Sequence, residues 1–350
     1  MIRYNPITGE QGYCIAVARA SVGIYLVLKQ RALSANSKVI VPANLCYAGI
    51  YPIVYAGATP VFCDVDERSG NVTFESFLSA CSEDTVAAII PHMYGNPVEE
   101  MVKICGYCKE KNILIIEDCA SAMGAKAFDY SVGCMGDYVV YSTGYSKTLD
   151  LGLGGFLYSK EKDLSVIESE ERKLPDFTEE NEKNMTFFSK LYRTIRNQGT
   201  DSRIEKMIYQ GLAECCKSDF LHRIDDEKKE WLFSELKNLD RVISERRSAL
   251  AKYRAMVKRS DRFEYKYSEG AVPWRYNLLI ESSDLRYKII QECLEASLPV
   301  SDWYPCVTKL FGDVRVFCGA DRHEKMIINF PLLVDDCVIE KICDILNNNL

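Results

Sequence analysis

Short apolar runs alternate with longer amphipathic stretches over the first 160 residues. Lys38–Pro42, Thr59–Cys63, Val86–Pro91, Ile113–Ile116, Tyr138–Tyr141 and Gly155–Tyr158 are brief, β-branched or aromatic, and read as strands. Between them, Val22–Lys29, Phe74–Cys81 and Pro97–Lys111 carry helical spacing. Buried strands alternating with helices predict parallel pairing, with helices on both faces of one sheet. The pattern stops near residue 160. Residues 160–225 are charged, broken by Pro175, and predict helices without strands.

From Asp226 to Lys258 the apolar positions are Leu232, Leu236, Leu239, Ile243, Leu250, Tyr253 and Val257. Their steps of three, four and seven predict one long helix that ties two domains together. Beyond Phe263 the chain reads as strand (Arg275–Ile280), helix (Ser283–Ala296), strand or loop (Leu298–Tyr304), strand (Lys325–Asn329) and helix (Asp335–Asn347). The expected division is a large domain at 1–225, a connecting helix at 226–260 and a small α/β domain at 261–350.

Composition narrows the function classes. The apolar share of 47% in 350 residues supports a large buried core, and more than one domain. A formal charge of −7 lacks the basic excess expected of a nucleic-acid binder. The start MIRYNPITGE lacks a basic-then-apolar layout, and no apolar run reaches membrane-spanning length. These features predict a soluble cytoplasmic protein. The 15 cysteines are scattered through apolar stretches and do not form a disulfide framework. Cys105 and Cys108 match C-x-x-C, but on helical spacing and without the second pair a zinc site needs, so they read as packing residues. Only three histidines exist, and His92 reads as a structural residue at a strand end. No metal site is expected.

Three features could carry chemistry. Asp118 follows the apolar run Ile113–Glu117, at the carboxyl end of a buried strand where open α/β sheets place ligands. Lys147 lies in a small-residue turn after another strand and precedes Gly152, Gly154 and Gly155, an order that fits no nucleotide loop. Small residues at 20–23 open a helix directly after the apolar run Cys14–Ala18, and Ser21 adds a hydroxyl to a phosphate-binding helix start. Singly these read as a helix cap, a solvated lysine and a serine cap. Together they supply a lysine amine for a Schiff base, an acid for a pyridinium nitrogen and a phosphate cradle, the set that pyridoxal 5′-phosphate (PLP) requires.

In order and wording these residues resemble the DegT/DnrJ/StrS-type sugar aminotransferases, which are PLP enzymes of fold type I. Val39–Pro42 with Ala56–Asp66 is similar to the family's early strand pair. Pro91–Pro97, the acid motif Ile116–Ala125, Ser142 five residues before Lys147, the Gly-x-Gly-Gly run and Val338–Leu346 extend the match. The resemblance implies an α/β fold with a mostly parallel central sheet, flanking helices and a small C-terminal domain. It implies that Lys147 forms the Schiff base and shuttles a proton, that Asp118 pairs with the pyridine nitrogen, and that Ser142, Ser21 and the N–H of Ala20 hold the phosphate. It places Ser121 where the family touches the cofactor with Gln or His. It also places a ring over the cofactor near Cys46 and Tyr47, with Tyr47 the better candidate. The reaction implied moves an amino group, from glutamate, to a keto sugar nucleotide or a similar cyclic ketone, in a homodimer.

The chain departs from the family at Ser121, at Leu153 in place of a glutamate, near Leu221 where a partner-directed Asn is expected, and before Tyr13 where a leading helix is missing. These departures keep two alternatives open: a PLP-dependent sugar dehydratase, and a fold-type I protein that binds a ligand without turnover.

Overall fold

The computed structural model describes residues 1–31, 33–34, 36–128, 130–198, 202–258 and 260–350. Its largest feature is an eight-stranded sheet. The strands are β1 (Ile2–Tyr4), β2 (Gln11–Val17), β3 (Lys38–Pro42), β4 (Thr59–Cys63), β5 (Thr85–Pro91), β6 (Leu114–Asp118), β7 (Tyr138–Ser142) and β8 (Gly155–Ser159). They lie in the order β1-β2-β8-β7-β6-β5-β3-β4. The five strands β7, β6, β5, β3 and β4 are parallel. Their near-continuous burial explains their unbroken apolar runs, since helices cover both faces.

One expectation of direction changes. β8 runs antiparallel to β7, with Ser142 opposite Gly155, and β2 runs antiparallel to β8, with Val17 opposite Gly155. The connection between β7 and β8 is a loop without a helix, so the chain folds back on itself and does not cross over. The consequence is functional. The ends of β6, β7 and β2 and the start of β8 all meet at one edge of the sheet.

The helix after β2 also starts earlier than its pattern suggests. α1 covers Ala20–Lys29, so Arg19 is the N-cap, with extended backbone and no side-chain cap. Ser21 therefore sits in the first turn and is not the cap. Residues 160–225 contain the helices Ser165–Glu171, Glu179–Gln198, Ser202–Cys215 and Lys217–Phe220. The predicted long helix is tightened in the middle: Asp226–Glu235 passes through a 3₁₀ turn at Leu236–Asn238 into Leu239–Met256. Its stripe serves two cores. Leu232 and Leu239 pack with the large sheet, whereas Leu250, Tyr253 and Val257 join the C-terminal core.

That second core encloses the antiparallel pair β9 (Tyr276–Leu279) and β10 (Ile327–Phe330), with the helices Ser283–Glu295 and Asp336–Asn349. The predicted strand at Lys325–Asn329 begins later, because the helix Cys318–Met326 occupies the residues before Ile327. Residues 298–304 are a loop with one bridge, Ser301 to Asn329.

Candidate active site

The sheet edge brings Asp118, Ser142, Lys147 and the start of α1 together. In register, Asp118 lies beside Val140 of β7, two residues before Ser142. Ser142 faces Gly155, which faces Val17, two residues ahead of Arg19. The edge is closed by the bridge from Arg19 to Gly154, and Gly154 donates to the carbonyl of Ala18 at 3.0 Å.

The loop carrying Lys147 is held from several sides. Ser146 has φ +61°, a left-handed conformation rare outside glycine. Its N–H donates to Asp150 at 2.7 Å, its carbonyl accepts from the Trp274 indole at 2.6 Å, and its hydroxyl accepts from Arg275 at 2.9 Å. Thr143 donates through its hydroxyl to the carbonyl of Leu153 at 2.7 Å, pinning the far end. Beneath the lysine lies Arg246, only 6% exposed. Its guanidinium donates to the carbonyls of Lys147 (2.6 Å), Thr148 (3.0 Å) and Trp274 (2.9 Å). Burial lowers its pKa to about 10, which leaves it charged at neutral pH.

Lys147 Nζ donates to Ser121 Oγ at 3.4 Å. Burial alone would depress its pKa, but Tyr304, Cys46 and Asp118 outweigh that and hold the amine above its ordinary value. Asp118 is the carboxylic acid among these three neighbours. Asp118 Oδ1 accepts from the Ala120 N–H at 2.8 Å, and Oδ2 accepts nothing from the described residues. Burial pushes this carboxyl up, against the pull of the Ala120 N–H, Lys147 and His92. Such a carboxylate is suited to a further cationic partner.

At the start of α1, Ser21 is 5% exposed and its Oγ meets no hydrogen-bond partner among the described residues. The first turn holds no acidic residue. Ser142 is buried, and its Oγ accepts from the Gly144 N–H at 3.3 Å. An orphaned buried hydroxyl at an uncapped helix start, beside a buried serine, fits a phosphate group. The unfilled oxygen of Asp118 fits a protonated ring nitrogen. The residues present therefore match what PLP requires.

Two predicted residues have more specific surroundings than the sequence offered. The Tyr47 ring lies in an aromatic cluster with Phe188 (5.2 Å), Tyr192 (4.7 Å) and Phe220 (6.2 Å). Its neighbour Cys46 is the one whose thiol senses Lys147, Asp118 and Arg19 together, although burial dominates and raises it. Leu153 contributes its carbonyl to the loop, and Leu221 is buried in the chain's own core.

His92 is structural. Its Nδ1 accepts from the Val98 N–H at 3.0 Å, so Nε2 carries the proton and donates to Glu117 at 3.0 Å. Glu117 also accepts from the N–H groups of Gly133, Met135 and Gly136. Cys119 lies close enough to complete a three-ligand set with them, but the nitrogens of His92 and both oxygens of Glu117 are already committed to this network. Cys105 and Cys108 are free thiols on the helix Met101–Lys111, each pushed up to about 12 by burial.

Sequence reasoning missed Arg246, Tyr304 and the network behind Tyr304. The Tyr304 N–H donates to the Tyr94 hydroxyl at 2.9 Å, which donates to His323 Nε2 at 3.0 Å. His323 Nδ1–H donates to the carbonyl of Glu67 at 2.9 Å. These partners lie far apart in sequence, and no local signal links them.

A lysine, an acid, two buried serines and an uncapped helix start thus meet at one edge of this sheet. Residues 7–332 match the model of the DegT/DnrJ/EryC1/StrS aminotransferase family, and the chain belongs to that family. It is similar to a GDP-perosamine synthase of Escherichia coli O157:H7, 33% identical over 43% of this chain and 42% of that protein. It is also similar to the UDP-N-acetyl-3-dehydro-alpha-D-glucosamine 3-aminotransferase of Acidithiobacillus ferrooxidans, 36% identical over 45% of this chain and 43% of that protein. The matched stretch thus spans less than half the length of these curated relatives. Among solved structures, an aminotransferase from Streptoalloteichus hindustanus superposes with a TM-score of 0.74 at 20% identity, covering 96% of this chain and 85% of that one. The Helicobacter pylori aminotransferase of pseudoaminic acid biosynthesis also gives 0.74, at 15% identity, over 96% and 86%. At these identities the likeness establishes the fold. Among the described residues, no helix is long and apolar enough to cross a membrane.

Proposed function

We propose that this chain is a PLP-dependent aminotransferase that moves an amino group, from glutamate, to the keto group of a sugar nucleotide or similar cyclic ketone. The observation that carries the reading is the meeting of Lys147, Asp118, Ser142 and the orphaned Ser21 hydroxyl at one sheet edge. The relatives' sugar substrates support the choice of acceptor.

Lys147 would hold PLP through its amine, and the cofactor's ring would supply an electron sink for the bond broken at the donor's Cα. The protein supplies the rest. Asp118 keeps the proton on the ring nitrogen, which its buried carboxylate favours. Ser142 Oγ, Ser21 Oγ and the Ala20 N–H hold the phosphate and fix the ring's position. The Lys147 amine would serve as the base that takes the proton from the donor's Cα. Ser121 Oγ accepts a hydrogen bond from that amine, and the Tyr47 cluster walls the site. The chain is read as a cytoplasmic homodimer with small-molecule partners and without nucleic-acid or membrane partners; sedimentation equilibrium of a monomer would overturn the dimer.

Adding glutamate to PLP-loaded protein should convert the visible band to that of the pyridoxamine form. Asp118→Asn should retain the band and convert at least about a hundredfold more slowly, since a neutral amide cannot keep the ring nitrogen protonated. PLP bound without conversion by any common amino donor would refute transamination and favour dehydration or binding without turnover.

A further inference from the structure

Arg19 stands at the N-cap of α1 with extended backbone, pinned to Gly154 of the lysine loop. Its guanidinium crosses the Phe220 ring at 5.4 Å. Among the described residues it meets no carboxylate and donates no hydrogen bond. Partial burial of an unpaired guanidinium is unfavourable, and burial lowers its pKa, with Tyr47 and Cys46 pulling the other way. The Cys46 thiol is also among the groups that sense both Lys147 and Asp118, so this cation belongs to the same site.

Three features at this point call for one anion. The α1 start presents N–H groups without a side-chain cap or an acidic first turn. Ser21 Oγ is buried and unpartnered among the described residues. Among the described residues Arg19 meets no counter-charge. A phosphate satisfies all three, and the planar guanidinium suits it better than a lysine ammonium would. We propose that Arg19 is a phosphate ligand of the cofactor, supplied by the same chain that supplies Lys147. Phe220, packed beneath the guanidinium, is the residue that keeps it aimed along the helix start.

The proposal rests on the PLP reading, and its test separates the two. Apo protein is titrated with PLP and with pyridoxal, which lacks the phosphate, following Lys147 adduct absorbance and tryptophan quenching. Wild type, Arg19→Gln, Arg19→Lys and Ser21→Ala are compared, with urea midpoints as the control for folding. Arg19→Gln should weaken PLP about ten- to a hundredfold while pyridoxal affinity stays put, as expected for loss of a charge-assisted contact. Arg19→Lys should fall between, and Ser21→Ala should weaken PLP alone, by less. Equal PLP affinity in wild type and Arg19→Gln would overturn the proposal, as would equal losses for PLP and pyridoxal. Unchanged PLP affinity with weakened binding of a nucleoside diphosphate sugar would assign Arg19 to the substrate and overturn it too. A wild type that binds neither aldehyde at Lys147 would overturn the cofactor reading itself.

Discussion

Arg246 is the support on which the lysine loop rests, and replacing it with methionine isolates that role. Methionine keeps much of the volume and the apolar stem but removes every donor. The carbonyls of Lys147, Thr148 and Trp274 then lose their partner. Charge-assisted hydrogen bonds are worth about 1.5–3 kcal/mol each. Three would total more than twice that, but the bonds act as a unit, and the variant is relieved of a buried charge. A net loss of about 3–5 kcal/mol is therefore expected, since each carbonyl left unpaired costs about 1–3 kcal/mol and part of the total is offset by no longer burying the guanidinium. Because the contacts hold a loop and not the sheet, the loss should appear first as local opening. Hydrogen exchange in peptides spanning 143–153 of the apo protein should speed up at least about a hundredfold, while β5 and β6 change little. Arg246→Lys should recover part of the protection, since one ammonium cannot reach three carbonyls in the geometry of a planar fork. Exchange in 143–153 that is unchanged in Arg246→Met would refute the claim that this residue holds the lysine in place.

Two further outcomes follow from the network behind the site. His323 is fully buried, and burial holds its pKa at about 4, below the ordinary 6.5. The unfolded chain therefore binds more protons between those values, so stability falls as pH drops from about 6.5 to 4, by up to about 3 kcal/mol from this residue. His323→Asn should lower stability at pH 7 and flatten that acid slope in urea titrations; an equally steep slope would show that another group carries it. Tyr304→Phe keeps the ring stacked on Trp274 at 5.5 Å but removes the hydroxyl beside Lys147. The pH profile for capture of PLP by the apo protein should then move to lower pH, and an unmoved profile would sink the idea that the phenol supports the ammonium.

The parts of the site that the sequence displays are those made locally. Asp118 and Ser142 end short buried strands, and Lys147 sits in the small-residue turn that follows one, so strand pattern and turn chemistry mark all three. Ser21 is legible as a hydroxyl at a helix start, though the helix begins two residues earlier than a Ser21 cap would place it and makes Arg19 the cap. What was hidden depends on distance. Arg246 reads as one charge among many on a solvated helix, because its acceptors lie up to 99 residues away. Tyr94, Tyr304 and His323 are joined only by the closure of two cores against each other. The direction of β8 was hidden for a related reason: apolar alternation shows that a strand is buried, and only the connection shows which way it runs. The 3₁₀ turn at Leu236–Asn238 leaves the apolar stripe intact, so periodicity could not reveal it.

The central claim is that Lys147 joins covalently to PLP. Wild-type protein loaded with PLP is reduced with borohydride, digested and sequenced by mass spectrometry, alongside Lys147→Ala. The account predicts a phosphopyridoxyl group on the peptide containing Lys147 in the wild type and none in the variant. A reduced adduct on another lysine, or an equal yield in Lys147→Ala, would contradict it.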